Sequence, residues 1–444
     1  MKIFTITLVA IMAISIAAFA QEKNEKIKTG WTMGLIPTVS YNSDLGLQYG
    51  GLVQLFDFKD GSTYPKYHKM FRVEISRYTK GSGTNQFFFD SENLFKKKKI
   101  RLTTDFSYLT EKALDFYGFN GNEVFFNPDF MTNNQTDYIS RMFYRMERKM
   151  VRLTADFQGN IIPGKLKWLA GFAFFNYQMG TVDIAKLNKG KELADQLPDT
   201  ALLYDKYVEW GLIPQNEANG GHQQMLKTGV IFDTRDIEAN PSKGIWTELL
   251  FVTAPSFFGN KENAFTKMIF IHRQYFTLIP KQLTFVYRLG YQGTILGDAP
   301  FYSQSYMFSS FSSVTIVEGL GGAKSLRGVL RNRIVGDGIA WSNFEFRWKF
   351  LRKTLGNQNL YLALNPFFDA GKVVKSVEID QSKVPVNEVL ANYFTGNTEK
   401  LHFTAGCGLH IGLNENFVIS ANFGRALNAL DGKNGIYIGT NWLF

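Results

Sequence analysis

The residues from Glu318 to Phe350 read EGLGGAKSLRGVLRNRIVGDGIAWSNFEFRWKF, and their second half alternates between aromatic and polar side chains. The aromatic members are Phe344, Phe346, Trp348 and Phe350, and the polar members are Asn343, Glu345, Arg347 and Lys349. Because side chains of a strand point alternately to its two faces, this segment predicts a strand with one aromatic and one charged face. Such a strand suits a membrane barrel, which shows its aromatic face to lipid and keeps charges in its lumen.

The first twenty residues have the pattern of a secretory signal peptide. Lys2 precedes an apolar run over residues 3–19, and Ala18 and Ala20 form a small-x-small cleavage site. We expect cleavage after Ala20, followed by a short polar periplasmic lead in residues 21–30. A transmembrane anchor is the alternative, but the apolar run is short for a membrane span.

The remaining residues, 31–444, are predicted to form one all-β domain. No later apolar stretch reaches the length of about 18 residues that a transmembrane helix needs. Sixteen strand-like segments follow in order: Trp31–Tyr41, Leu47–Phe56, Phe71–Thr79, Asn85–Asn93, Ile100–Leu109, Tyr138–Gln158, Leu166–Tyr177, Met225–Phe232, Ile245–Thr253, Phe265–Leu278, Leu283–Gly293, Ile339–Phe350, Leu360–Gly371, Leu401–Ile411, Phe417–Gly424 and Gly435–Phe444. An even strand number is typical of a single-chain bacterial barrel. We therefore predict a 16-stranded antiparallel transmembrane β-barrel in the bacterial outer membrane.

The segment from Tyr138 to Gln158 is long, and its apolar phase slips near Met150. Two strands that turn near Glu147 would explain the slip. A seventeenth strand, however, would move the long 180–223 connection to the periplasmic end, where turns are short. We therefore predict one long strand with a bulge. The long connections then all lie outside the cell, at residues 110–137, 180–223, 294–338 and 372–400.

The 294–338 connection carries an arginine with two predicted acidic partners. Alternation in the segment Leu360–Gly371 points Asp369 into the lumen, one strand beyond Glu345, and one guanidinium can donate to both carboxylates. An exposed ion pair contributes only about 0–1 kcal/mol. A lock formed by Arg327 therefore requires that the loop folds into the lumen and excludes water. The residues alone leave open that Arg327 is one of many lumen charges without a special partner.

Three short patterns follow one another in this part of the chain. They are SLRGV at residues 325–329, NFEFRW at residues 343–348 and FFDAG at residues 367–371. At these positions the chain resembles the BamA/TamA, or bacterial surface antigen, superfamily of outer-membrane assembly and translocation barrels. The resemblance implies that the sixth extracellular loop, residues 294–338, enters the lumen and is locked there. The implied site consists of the ion pair Arg327, Asp369 and Glu345, the loop tip Leu326, Gly328 and Val329, and the strand motif residues Phe367 and Gly371.

Two features depart from the superfamily pattern. Val329 stands where an aromatic residue is usual, so the packing of the loop tip is expected to differ. The short 21–30 lead predicts a form without the periplasmic POTRA domains, which receive substrates in the superfamily. We therefore expect a separate periplasmic or lipoprotein partner.

The resemblance further implies lateral opening between the first and last strands. At this seam Pro37 lacks an amide donor and Gly439 offers little packing. The last strand is predicted to run to the aromatic residue Phe444, with Trp442 on the same face as Ile436. The function that follows is assistance in the insertion, folding or export of unfolded outer-membrane proteins or lipids. The alternative is a gated pore for small solutes.

The residues predict no enzyme, no cofactor and no metal site. The five histidines are scattered, and His402 and His410, which share an inward face, are expected to be solvated lumen residues. The single cysteine, Cys407, cannot form an internal disulfide. The formal net charge of +10 suits contact with outer-membrane lipid and lipopolysaccharide, whereas nucleic acid is not expected in this compartment.

Overall fold

The computed structural model of the chain describes residues 29–62, 67–92, 94, 100–237, 240–260, 262–310, 317–355, 358–413 and 417–444. The predicted signal peptide at residues 1–20, and the predicted lead up to residue 28, lie outside the described residues.

Within the described residues, sixteen antiparallel strands close into one barrel, in which each strand pairs with its sequence neighbours and β1 lies beside β16. The predicted fold class is therefore confirmed. The strands are β1 Trp31–Asn42, β2 Gly46–Asp57, β3 Lys69–Tyr78, β4 Gly83–Ser91, β5 Ile100–Asp115, β6 Arg145–Ile162, β7 Leu166–Gly180, β8 Gly220–Asp233, β9 Gly244–Ala254, β10 Phe265–Ile279, β11 Leu283–Gly297, β12 Gly338–Leu355, β13 Gln358–Lys375, β14 His402–Leu413, β15 Phe417–Ala426 and β16 Asn434–Thr440.

Strand β12 shows why these segments form a barrel wall. Phe346 and Trp348 are 45% and 48% exposed on the outer surface, whereas Glu345 and Arg347 between them are 0% and 1% exposed. The outer aromatic rings pack across strands, as between Phe285 and Phe346, whose centroids are 5.0 Å apart. The period-two alternation therefore divides lipid-facing from lumen-facing side chains.

Several predicted strand boundaries were wrong, among them the start of β6 and the end of the last strand. Strand β6 is a single strand, but it begins at Arg145 instead of Tyr138, because Phe143 and Tyr144 pack into the core that the loops share. Its register is continuous around Met150, and the irregularities lie instead at 111/114 in β5 and 160/162 in β6. The last strand ends at Thr440 instead of Phe444.

The long connections gather at one end of the barrel and share an aromatic core. Their described residues contain three short α-helices, α1 Ile184–Asn188, α2 Leu203–Glu209 and α3 Phe301–Gln304. Buried rings from four loops meet there, for example Tyr207 with Phe116 at 5.3 Å and Trp210 with Tyr393 at 4.8 Å between centroids. The core thus forms a cap over the long-loop end.

None of the helices in the described residues is long and apolar enough to cross a membrane.

Candidate functional site

The loop between β11 and β12, residues 298–337, places Arg327 against the inner face of β12 and β13. Arg327 donates from Nη2 to Asp369 Oδ1 at 2.8 Å, from Nε to Asp369 Oδ2 at 3.0 Å and from Nη1 to Glu345 Oε1 at 2.8 Å. Its backbone amide also donates to Asp369 Oδ2, at 3.1 Å. The guanidinium carbon lies 3.4 Å from the centroid of the Phe367 ring. The predicted ion pair of Arg327, Asp369 and Glu345 therefore forms one contact group. Phe367 of the predicted strand motif belongs to the same group.

This contact group is sealed from solvent. Arg327 is 1% exposed, and both carboxylates are 0% exposed. Burial by itself lowers the pKa of Arg327, but the charges of Asp369 and Glu345 outweigh it and raise that pKa, so the guanidinium stays charged. Removing one partner of such a buried pair costs about 3–5 kcal/mol, far more than an exposed pair contributes.

The predicted loop-tip residues pack around this arginine. Leu326 and Val329 are fully buried, and Val329 donates from its amide to Leu326 O at 3.3 Å in a tight turn. Gly328 has a φ of 103°, which suits glycine, and its amide donates to the Tyr437 hydroxyl on β16 at 3.1 Å. The loop tip therefore contacts the last strand of the barrel as well as β12 and β13.

Two wall glycines leave the space that the loop tip occupies. A Cβ placed on Gly424 of β15 would overlap the backbone oxygen of Arg327, and one on Gly371 of β13 would come within 2.8 Å of the Leu320 side chain. Gly371 belongs to the predicted strand motif, whereas Gly424 did not stand out in the sequence. Close backbone approach explains glycine at both positions.

We expect Gly424→Ala to displace the loop tip and to destabilise the folded barrel by about 1–3 kcal/mol, the usual cost of overpacking. The matched control is Gly439→Ala on β16, where an added Cβ meets nothing within 4 Å. The temperature at which the folded band is lost in heat-dependent gel mobility measures the difference. Equal temperatures for the two variants would contradict the close contact.

A second buried ion cluster, which sequence reasoning missed, holds the same loop to the opposite wall. Arg331 and Glu318 come from the loop, and Arg148 of β6 and Glu111 of β5 come from the wall. Each arginine pairs with both carboxylates, with Arg331 Nη2 at 3.0 Å from Glu318 Oε2. Strand alternation predicts many charged side chains in the lumen, and nothing in the sequence distinguishes these four from the others.

The seam between β1 and β16 is short. Its ladder consists of Tyr41 opposite Ile438 and Asn42 opposite Tyr437, extended by Ser43, whose amide donates to Ile436 O at 3.1 Å. These contacts all lie at the long-loop end.

Of the predicted seam residues, neither Pro37 nor Gly439 lies in this ladder. Pro37 is exposed and pairs with Gly51 of β2, and Gly439 pairs with Ser420 of β15. Phe444 lies beyond the end of β16. The seam is therefore shorter than the predicted pairing of Trp31–Tyr41 with Gly435–Phe444.

The residues after β16 turn into the lumen, which corrects the prediction that Trp442 shares a face with Ile436. Asn441 adopts a left-handed φ of 69°, Ile436 is exposed and Trp442 is buried. The Trp442 ring packs against His410 with centroids 4.0 Å apart, and its centroid lies 4.5 Å from the Arg347 guanidinium carbon. Phe444 O accepts a hydrogen bond from Arg347 Nη2 at 2.6 Å. We call residues 441–444 the tail.

The two inward histidines are buried, contrary to the prediction of solvated side chains. His402 lies between Asp431 Oδ2, at 2.7 Å from Nδ1, and Glu399 Oε1, at 3.1 Å from Nε2. Contacts of this kind fix loop ends to the barrel rim. Among the described residues, no three His, Cys, Asp or Glu side chains group in a way that could bind a metal ion.

Closed strand pairing, an aromatic outer face and a loop held in a charged lumen define a transmembrane β-barrel of the bacterial outer membrane. A sequence profile of the Omp85 superfamily domain matches residues 70–442. The chain belongs to the Omp85 superfamily.

Solved structures agree with this assignment at the level of the fold. BamA from Haemophilus ducreyi lacking POTRA domains 1–3 is 14% identical with a TM-score of 0.57, and the match covers 93% of this chain and 70% of that one. CdiB from Escherichia coli is 10% identical with a TM-score of 0.55, and the match covers 93% of this chain and 63% of that one. No curated protein sequence is significantly similar to the chain.

Proposed function

We propose that this barrel assists the insertion, folding or export of outer-membrane proteins or lipids by opening laterally between β1 and β16. The single observation that carries the proposal is the seam, whose ladder spans two residue pairs, whereas β1 and β2 pair over their full length from Trp31 to Asn42. Within the described residues, positions 31–40 of β1 have no ladder partner on β16, and such an edge can pair with an incoming strand. Membership of the Omp85 superfamily supports a function of this class.

Loop contacts support the proposal. The loop tip donates from Gly328 to Tyr437, and Leu330 donates from its amide to Asp431 O at 2.8 Å, just before β16. The lock at Arg327 therefore steadies the strand that must move. We propose Arg327, Asp369 and Glu345 as the residues of this lock, and residues 31–444 as one working unit.

The proposal includes a separate periplasmic or lipoprotein partner, and contact with lipopolysaccharide and lipid at the barrel surface. It assigns no catalytic residue.

A disulfide across the seam tests lateral opening. In a Cys407→Ser background, Tyr41→Cys and Ile438→Cys replace cross-strand partners, and such partners lie about 4.5–5.5 Å apart, within reach of a disulfide. We expect the oxidised protein to fail to restore outer-membrane protein and surface-lipoprotein levels in a depleted strain, as measured by proteomics, and the reduced protein to restore them.

The matched control is a disulfide between Ile411→Cys and Ile419→Cys, which are partners on β14 and β15 away from the seam. It forms the same bond in the same wall and is expected to leave activity intact. If the seam disulfide leaves activity unchanged as well, lateral opening is refuted. If depletion itself alters no outer-membrane protein or lipoprotein, the assembly function is refuted.

A further inference from the structure

One carboxylate in the lumen serves two segments at once. Glu345 accepts from Arg327 of the loop through Oε1 at 2.8 Å and from Arg347 Nε through Oε2 at 3.1 Å. Arg347 in turn donates from Nη2 to Phe444 O and lies beside the Trp442 ring. A continuous chain of charged contacts therefore runs from the loop tip to the tail.

We infer that Glu345 is a positioning residue that makes the hold on the loop and the hold on the tail depend on each other. The inference goes beyond lateral opening by naming how release of the loop would reach the last strand. The inference rests on the proposed lateral opening only for the role of the coupling, because the contacts themselves can be tested without any assay of function.

The hydrogen-bond geometry gives this coupling a direction. Arg347 places Nε and Nη2 near one oxygen of Glu345, Oε2, and its Nη1 has no hydrogen-bond partner among the described residues. Oε1 is occupied by Arg327. When Arg327 leaves, Oε1 becomes available, and a bidentate pair with Arg347 is the stronger arrangement. Arg347 then turns away from Phe444, and the last residue of the tail loses its hydrogen bond to the wall.

The reverse step follows by the same reasoning. A tail that leaves the lumen removes Phe444 O from Arg347, which can then take both oxygens of Glu345 and compete with Arg327. Coupling between two sites is reciprocal, so each segment stabilises the bound state of the other. The Gly328 contact with Tyr437 acts in the same direction, because it joins the loop tip to β16, from which the tail extends.

Asp369 provides the matched comparison. Among the described residues, it accepts hydrogen bonds from Arg327 and, at 3.5 Å, from Thr404, and none from Arg347. Asp369→Asn therefore weakens the loop lock while Arg327 stays on Oε1 of Glu345. Glu345→Gln removes the shared carboxylate, and Arg327→Ala frees it for Arg347.

Thiol labelling of the tail tests the inference in the full-length barrel. Cys407→Ser removes the native thiol, which is exposed, and Leu443→Cys, at a half-buried tail position, supplies the reporter. We expect Arg327→Ala and Glu345→Gln each to raise the labelling rate with a hydrophilic maleimide by roughly 10-fold, as for a typical coupling between sites. Asp369→Asn is expected to raise the rate clearly less, because Arg327 stays on Oε1 of Glu345. Rates are read from the folded band alone, so unfolded protein does not contribute.

The reciprocal measurement places the reporter on the loop, at the half-buried Ala323→Cys. Trp442→Ala should raise labelling there, whereas Trp31→Ala, which removes an exposed ring on the outer surface, should not. This arm decides the question if Arg327→Ala does not fold.

Two results would overturn the inference. One is an Asp369→Asn rate as high as that of Glu345→Gln, which would mean general loosening of the barrel. The other is a tail rate that no lock variant changes. Neither result bears on whether the seam disulfide blocks activity, so the coupling and the proposed function can fail separately.

Discussion

Arg327→Ala is expected to leave two fully buried carboxylates without their shared counter-charge and to cost about 3–5 kcal/mol of the free energy that holds the loop in the lumen. We expect this variant to lose its folded gel band at a clearly lower temperature and to fail in the depletion assay. The reason is desolvation: Asp369 and Glu345 are already out of water, so removing Arg327 leaves their burial uncompensated.

The control for this prediction is Arg141→Ala, which removes an exposed arginine from a loop. Arg327→Lys adds a graded comparison, because an ammonium is a point charge that cannot match the planar fork that reaches both carboxylates. We expect it to fall between the parent and Arg327→Ala. A folded, active and equally heat-stable Arg327→Ala protein would show that the buried ion pair does not hold the loop.

This lock could be predicted because two local rules are sufficient to place it. Period-two alternation decides which side chains enter the lumen, and in an antiparallel barrel consecutive strands are neighbours. Glu345 pairs with Phe367 across β12 and β13, and Asp369 lies two residues further on the same face. The sequence was therefore sufficient to place both carboxylates on one region of the wall. The resemblance in the loop identified Arg327 as their partner.

The tail could not be predicted in the same way. Alternation extended β16 to Phe444, but the chain leaves the wall at Asn441, whose left-handed φ is a local turn that no periodic pattern encodes. Trp442 therefore does not face lipid but lies in a recess between His410 of β14 and Arg347 of β12. Such a recess depends on side chains from distant segments, so the strand rule alone gave the wrong face.

The second ion cluster was missed for a related reason. Its partners are separated by 170 residues between Arg148 and Glu318, and by 220 residues between Glu111 and Arg331. The loop must cross the lumen to bring them together, and the path of a loop is not set by strand alternation. The sequence carries one signal that becomes clear only with the structure. Glu318 and Arg331 lie on either side of the loop tip, and both pair with residues of β5 and β6.

Together the two clusters predict how the barrel behaves as a pore. Arg327 anchors the loop tip to β12 and β13, and Arg331 with Glu318 anchors it to β5 and β6, so the loop is tied to two different walls of the lumen. Sixteen strands enclose a lumen wide enough for water unless side chains fill it. Breaking one anchor leaves the other in place, whereas breaking both removes the ionic hold of the loop on either wall.

We therefore expect no stable porin-like current from the parent protein in a planar bilayer. We expect brief openings from Arg327→Ala, or from Glu318→Gln combined with Arg331→Ala, because both of these loop residues pair with the wall. Sustained conductance is expected when all three substitutions are combined. Each anchor costs about 3–5 kcal/mol to break, so the loop-out population rises steeply only when both are lost. Arg141→Ala combined with Lys112→Ala, two exposed cations, is the matched control and is expected to behave like the parent. A large, steady current from the parent would instead favour the gated pore for small solutes, because a lumen that conducts at rest is not closed by its loop.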